Sequence, residues 1–148
     1  MSGSSRFVSF LLVAVQFLCV AAILLTGPLV PASLPGLGLA GLGLALGLWA
    51  ILTMPRRSLH VLPDVRDGAT LVTQGPYRYV RHPMYTALLG VTLVLVLEQA
   101  TGLRLTFWLV LLADLIAKLL REERFLIERF GEYREYRART FRLVPFVF

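Results

Sequence analysis

Apolar and polar positions fall in long blocks along this chain, not at the short period of a surface helix or strand. Phe7 to Leu25 is one apolar run; Leu34 to Met54 is a second, bounded by Pro31, Pro35 and Pro55 and free of charge. A helix that crosses about 30 Å of hydrocarbon at about 1.5 Å per residue needs about 20 such residues, which both runs supply. From Pro55 to His82 the chain is polar and broken by Pro63, Gly68, Gly75 and Pro76, the pattern of a loop. Apolar character returns from Pro83 to Leu97, pauses from Glu98 to Gly102, and resumes from Leu103 to Leu120. That pattern predicts a helical hairpin whose first arm is short for a full crossing. Beyond it, Phe125, Leu126, Phe130, Tyr133 and Tyr136 recur at roughly helical spacing within a charged segment, with a break at Gly131. This segment is expected to be an amphipathic helix at the membrane surface.

The expected fold is therefore all-α: a polytopic membrane helix bundle with about four transmembrane helices and a C-terminal cytoplasmic amphipathic helix. It forms one domain over residues 1–148. Two spans occupy 1–54, a cytoplasmic loop 55–82, the hairpin 83–120 and a cytoplasmic C-terminal segment 121–148. An Arg ahead of the first run raises the possibility of a signal peptide, but no Ala-x-Ala cleavage pattern follows, which favours a retained span.

Composition agrees, with 57% of residues apolar and 16% charged. The net charge of +6 does not indicate nucleic acid, because the basic residues form no stripe on a solvated face. Arg6, Arg56, Arg57, Arg66, Arg78 and Arg81 flank apolar runs, and many others crowd between Lys118 and Arg142. The Thr26 to Ser33 connection is uncharged, and the Glu98 to Arg104 turn carries one charge of each sign. The positive-inside rule then places the Arg-rich segments and both termini in the cytoplasm, with the chain in the cytoplasmic (inner) membrane. Cys19 stands alone in an apolar run, so no disulfide or CxxC metal pair exists. His60 and His82 lack the spacing of a helical metal pair, and no metal is expected.

Gly36-Leu37-Gly38-Leu39-Ala40-Gly41 spells G-x-G-x-x-G, but it opens a membrane run and follows no strand. Close helix packing, shared with the small pair Gly43 and Gly47, is the better account. The stretch Arg81-His82-Pro83-Met84-Tyr85 admits two readings. Pro at the first turn leaves backbone N–H groups open to an anion, with Arg81 and His82 adding donors and Tyr77, Tyr79 and Tyr85 adding aromatic faces. Equally, it is an interfacial belt that anchors the hairpin. Asp114, Lys118 and Glu122 share one helical face at i, i+4 and i+8, and charges within the membrane usually face a partner or a polar cavity. The favoured reading is a polar wall rising from the cytoplasm; the alternative is an ion pair that holds helices in register.

Three segments, LVTQGPYRYVRHPMYTALLG, the K-x-x-x-E-E-x-x-L run from Lys118 to Leu126, and FGEYREY, resemble in order and spacing the isoprenylcysteine carboxyl methyltransferase family, integral membrane enzymes related to phospholipid N-methyltransferases. The resemblance spans Ala69 to Pro145. It implies S-adenosyl-L-methionine as cofactor, held among the last membrane helices and not on a soluble nucleotide-binding fold. It also implies cofactor contacts from a strand-like Thr70, Leu71 and Val72, from Tyr77, from His82, Pro83, Met84 and Tyr85, and from Glu122. Glu123 would be a supporting acid, and Lys118 stands where an Arg contacts the substrate in eukaryotic members. Ala87 replaces a Gly common in the pattern, and the extra helices of eukaryotic relatives are missing, which argues against a prenylcysteine substrate. The expected activity is methylation of a small lipophilic or membrane-embedded acceptor. Lys118 leans that expectation toward a carboxylate; an amine or phospholipid acceptor and a non-catalytic helical module are the alternatives. Oligomeric state is left open.

Overall fold

The computed structural model describes residues 3–55 and 71–145, all helix and connecting segments with no strand among them. Thr70, Arg56, Arg57, His60 and Arg66 lie outside the described residues. Five α-helices follow in order: α1 Gly3–Leu25, α2 Leu34–Thr53, α3 Pro83–Glu98, α4 Gly102–Arg129 and α5 Tyr133–Ala138. A 3-10 turn, Gly75–Arg78, precedes α3. Helices α1 and α2 are long and apolar enough to cross a membrane, and in each only 17% of the apolar window is buried inside the protein. Their outward Phe and Leu side chains have no protein to cover them, which calls for lipid as their solvent.

Local chemistry sets the helix ends. Ser33 caps α2 by accepting from the Gly36 amide, with Pro35 in the first turn, and Thr101 caps α4 by accepting from the Arg104 amide. Pro83 opens α3, where its missing N–H leaves no orphan donor. Gly75 adopts φ +58 at the start of the 3-10 turn, and a Cβ there would lie 2.7 Å from the Thr53 hydroxyl, so the turn sits against the end of α2 only as glycine.

The shortest of the apolar helices, α3, is the central one. It packs extensively on α2, and also on α4 and α1, while α4 lies along α1. The α2/α3 pair is antiparallel in fixed register. A Cβ added to Gly36 would meet Glu98, one on Gly43 would meet Val91 at 2.7 Å, and one on Gly47 would meet Ala87 at 3.3 Å. Gly43 and Gly47 thus permit close backbone approach, and Gly47 leaves room for the Ala87 methyl. Gly38 and Gly41 have nothing within 4 Å. The remaining core unites Cys19 and Ile23 of α1, Leu89, Leu95 and Val96 of α3, and Leu111, Leu115 and Leu119 of α4 with Leu143 from the tail.

Two boundaries differ from the periodicity reading. Helix α4 does not end near Leu120 but continues to Arg129, so Phe125 and Leu126 belong to it. The chain then breaks at Phe130 to Glu132, and the separate amphipathic helix is only the six residues of α5. No strand forms at Leu71 and Val72; the C-terminal tail pairs instead with a later segment. Val80 bridges Phe141 in parallel, the Arg81 amide donates to Phe141 O at 2.8 Å, and the His82 amide donates to Arg142 O at 3.1 Å.

Candidate active site

The start of α3 and the C-terminal half of α4 converge at one end of the bundle. Tyr85, one turn into α3, donates its hydroxyl to the Glu122 carboxylate. The His82 ring stacks on Tyr85 with centroids 5.5 Å apart and planes 5° from parallel. His82 Nδ1 lies 3.4 Å from Glu122 Oε2, and Nε2 lies 3.7 Å from Glu123 Oε1, beyond hydrogen-bond length. Two carboxylates therefore face one imidazole. Burial disfavours the charged ring, yet Glu122 and Glu123 outweigh it and hold His82 above the ordinary histidine range.

Adjacent residues Glu122 and Glu123 serve different neighbours. Glu123 is buried and receives Arg81 Nε at 2.7 Å and Arg142 Nε at 3.2 Å. Burial alone would raise its pKa, but His82 and Arg81 hold the carboxyl down to about 2. A carboxylate held that low is a poor proton acceptor at neutral pH; it organises the cations around it. The Glu122 side chain keeps 22% of its surface exposed and remains open on one side.

Arg81 is likewise engaged within the protein. Besides Glu123, its guanidinium donates to the backbone carbonyls of Arg137, at 3.1 Å, and Thr140, and to the Thr140 hydroxyl. Of the two readings for the Arg81 to Tyr85 stretch, direct binding of an anion by Arg81 loses its donor, because this network occupies it. The C-terminal tail completes the wall: Tyr136 donates to Tyr77 O at 2.6 Å and Thr86 donates to Leu143 O at 2.7 Å. Tyr77 itself is buried with its hydroxyl unpaired, and burial pushes that hydroxyl far above its ordinary range, so it stays a proton donor.

Lys118 joins the cluster from one turn earlier on α4. Fully buried, it places its ammonium 5.6 Å from the Tyr85 ring centroid and donates to Gln16 Oε1 of α1. Asp114 is buried one turn deeper along α4. Pro83 is buried and Met84 half-buried beside His82. Leu71 and Val72 instead line a cleft of about 200 Å³ with Thr53, Pro55, Thr73 and Gln74, next to the end of α2. The structure thus gathers Tyr77, His82, Tyr85, Lys118, Glu122 and Glu123, and sets Leu71 and Val72 on a neighbouring surface. No group of three or more metal-ligating side chains occurs among the described residues. Sequence reasoning missed Gln16, Thr140 and Arg142, since only the folded chain brings α1 and the tail to the α3/α4 seam. The one available signal for Gln16 was a polar amide inside an otherwise apolar span.

Two comparisons bear on this arrangement. The family model described as phospholipid methyltransferase matches residues 32–133, from two residues before α2 to the first residue of α5. The chain belongs to this family. The match contains the first two of the three motifs and the start of the third, FGEY. Family membership makes it a membrane protein of a methyltransferase family. The cobalt-zinc-cadmium resistance protein CzcN of Cupriavidus metallidurans is 32% identical over 105 residues, which cover 70% of this chain and 45% of that protein. The chain thus matches less than half the length of this curated relative. Helix α1, with Gln16, and the tail after Tyr133 lie outside the family match.

Proposed function

We propose that this protein transfers a methyl group from S-adenosylmethionine to a small lipophilic or membrane-embedded acceptor. The observation that carries the reading is the convergence of Tyr77, His82, Tyr85 and Glu122 from three segments, with Tyr77 Oη and His82 Nε2 buried and without hydrogen-bond partners. Buried polar groups ordinarily find partners, and these two donors beside a half-open carboxylate match an amino-acid moiety. Tyr77 and His82 would donate to its carboxylate, and Glu122 would receive its ammonium. Pro83, Met84, Leu71, Val72 and Thr70 would border the rest. The cofactor supplies a methyl group on a positively charged sulfur, which keeps the bonding electron pair when the acceptor's lone pair takes the carbon.

The protein's share of such a displacement is to align donor and acceptor and exclude water. Tyr85, wedged between His82, Lys118 and Glu122, fixes the cofactor side relative to the acceptor side. Glu123 acts as a positioning residue: it holds Arg81, Arg142 and His82, and through them the start of α3. Lys118 would face the acceptor. The four apolar helices are proposed to cross the inner membrane with both termini in the cytoplasm, so that the polar donor arrives from the cytoplasm and the acceptor from the bilayer. Lys118 is the argument for a carboxylate acceptor, and its engagement by Gln16 weakens that argument. An amine on a phospholipid head is the second reading, in keeping with the description of the family.

Titration of the purified, folded protein with S-adenosylmethionine tests the proposal. Binding is expected to weaken about tenfold or more in Glu122→Gln and His82→Ala, each of which loses charge-assisted contacts, and to persist in Lys118→Ala. No binding to folded wild type in both detergent and lipid would defeat it.

A further inference from the structure

The segment after α4 is bonded along its length to the start of α3. Tyr136 donates to Tyr77 O at 2.6 Å and the Phe141 amide donates to Tyr79 O at 3.0 Å. The amides of Arg81 and His82, at the N-cap of α3 and just before it, have no helical acceptor of their own; Phe141 O and Arg142 O supply one. Side chains repeat the pairing, with Arg81 on the carbonyls of Arg137 and Thr140, Thr86 on Leu143 O, and Arg142 on Glu123. Apolar packing contributes little by comparison. Among residues 130–145 only Tyr133, 1% exposed, and Leu143, 4% exposed, are buried, and of these two only Leu143 belongs to the hydrophobic core. Helix α5 has six residues, too few to be stable alone, and residues 130–132 separate it from α4.

We infer that residues 133–143 form a strap that opens and closes as one unit, and that only the docked strap sets Tyr77 and His82 in place for the methyl donor. The identity of that ligand rests on the methyl-transfer reading; the motion of the strap does not. A segment held by polar bonds and one core anchor opens at lower cost than the helices it lies on. When it leaves, the Tyr77 carbonyl and the Arg81 and His82 amides lose their partners together, and Glu123 loses Arg142. Arg142 and Leu143 are then positioning residues, which act on the ligand through His82 and Tyr77 without touching it. A ligand that bridges Tyr77 and His82 favours the docked state, and by linkage docking favours the ligand to the same degree. All of the strap except Tyr133 lies beyond the segment that matches the family.

Hydrogen exchange of the full-length protein in nanodiscs, read by mass spectrometry, tests this directly, because the Arg81 and His82 amides are bonded to strap carbonyls. Without cofactor, Leu143→Ala should speed exchange in the peptide that holds Arg81 and His82 by about tenfold or more, the scale of one truncated core leucine. Amides from Thr92 to Val96, at the other end of α3, should keep the wild-type rate. S-adenosylmethionine at about 100 times its Kd should then slow exchange at Arg81 and His82 by about a hundredfold in wild type and variant alike, the mass-action effect of a ligand that binds only the docked state. Arg142→Gln should speed the same peptide, and Arg142→Lys should restore protection. Three results would each overturn the inference: unchanged exchange at Arg81 and His82 in Leu143→Ala, equal acceleration at Thr92 to Val96, or bound cofactor that leaves the exchange rate as it was. If Leu143→Ala does not fold, the Arg142→Gln and Arg142→Lys pair decides in its place. Failure of folded wild type to bind S-adenosylmethionine strikes the methyl-transfer reading, and the cofactor-free comparison alone then upholds or overturns the strap.

Discussion

Each end of the helix bundle buries an arginine, and the two are held by different means. At the site end, Arg81 meets a carboxylate, Glu123, which also receives Arg142. At the far end, Arg104 is 1% exposed and donates to the carbonyls of Gln99, at 3.1 Å, and Ile23, at 3.2 Å. It lies so close to Gly27 that a Cβ there would sit 2.2 Å from the guanidinium. Arg104 thereby satisfies chain ends of α1 and α3 from the first turn of α4, a clamp made of backbone contacts. Nearby, Glu98 receives the Ser33 hydroxyl and the Ala32 amide and ties the α1–α2 connection to the end of α3. The far end joins helix termini to one another. The site end concentrates ionisable side chains and leaves Tyr77 Oη and His82 Nε2 without hydrogen-bond partners, as expected where a ligand completes the bonding, while at the far end Arg104 Nε is the buried atom left so.

Four measurements would break or sharpen this contrast. Glu123→Ala should have the largest effect, about 3–5 kcal/mol of stability, because it leaves buried Arg81 without its counter-charge; thermal or denaturant unfolding in detergent reads it, and loss below about 1 kcal/mol would show that the network does not hold the site together. Arg104→Leu should lose about 1–3 kcal/mol, from carbonyls stripped of their donor, while S-adenosylmethionine affinity in the folded fraction stays at the wild-type level. A matching fall in affinity would mean that the two ends are coupled.

The third measurement is a pH profile of unfolding. The Glu123 carboxyl is depressed to about 2, so its contribution is present above its ordinary value of 4.5 and is lost as pH falls toward about 2. His82 is raised, so its contribution is complete below 6.5 and is lost as pH climbs through its higher folded value. Stability should therefore decline on both sides, and His82→Gln should remove the alkaline decline alone. An unchanged alkaline limb in that variant would assign it elsewhere. The smallest effect belongs to Glu98→Gln. This exposed carboxylate is held below its usual range by Ser33, so the change should lower the unfolding midpoint slightly near neutral pH and not at all in acid, where the wild-type group is itself protonated.

The extent of the apolar helices was legible from the chain because a membrane helix must satisfy its backbone internally and cover it with apolar side chains, a demand that each run meets without help from its neighbours. Pro83, the Glu98 to Thr101 turn and the break near Gly131 were legible for similar local reasons. The motif residues of α3 and α4 were legible through resemblance, and their spacing on α4 put Asp114, Lys118 and Glu122 on one face. The division of labour between Glu122 and Glu123 was not. The two are neighbours in sequence with the same side chain, and only the helix rotation that turns one toward Arg81 and Arg142 and the other toward Tyr85 separates them.

The same holds for everything contributed from a distance. That α3 lies between α2 and α4, that Gln16 reaches Lys118, and that the tail pairs with Val80 to His82 are contacts between residues far apart in the chain. No local pattern encodes such partners, because in lipid apolar faces do not choose one another by hydrophobicity; small residues and a few polar side chains make the choice. Local physics thus determined which segments are helices and, except for the run of α4 past Leu120 to Arg129, where they stop. Packing of glycine against alanine, and of buried charge against buried charge, decided how they meet and hence which of their polar groups remain open to a ligand.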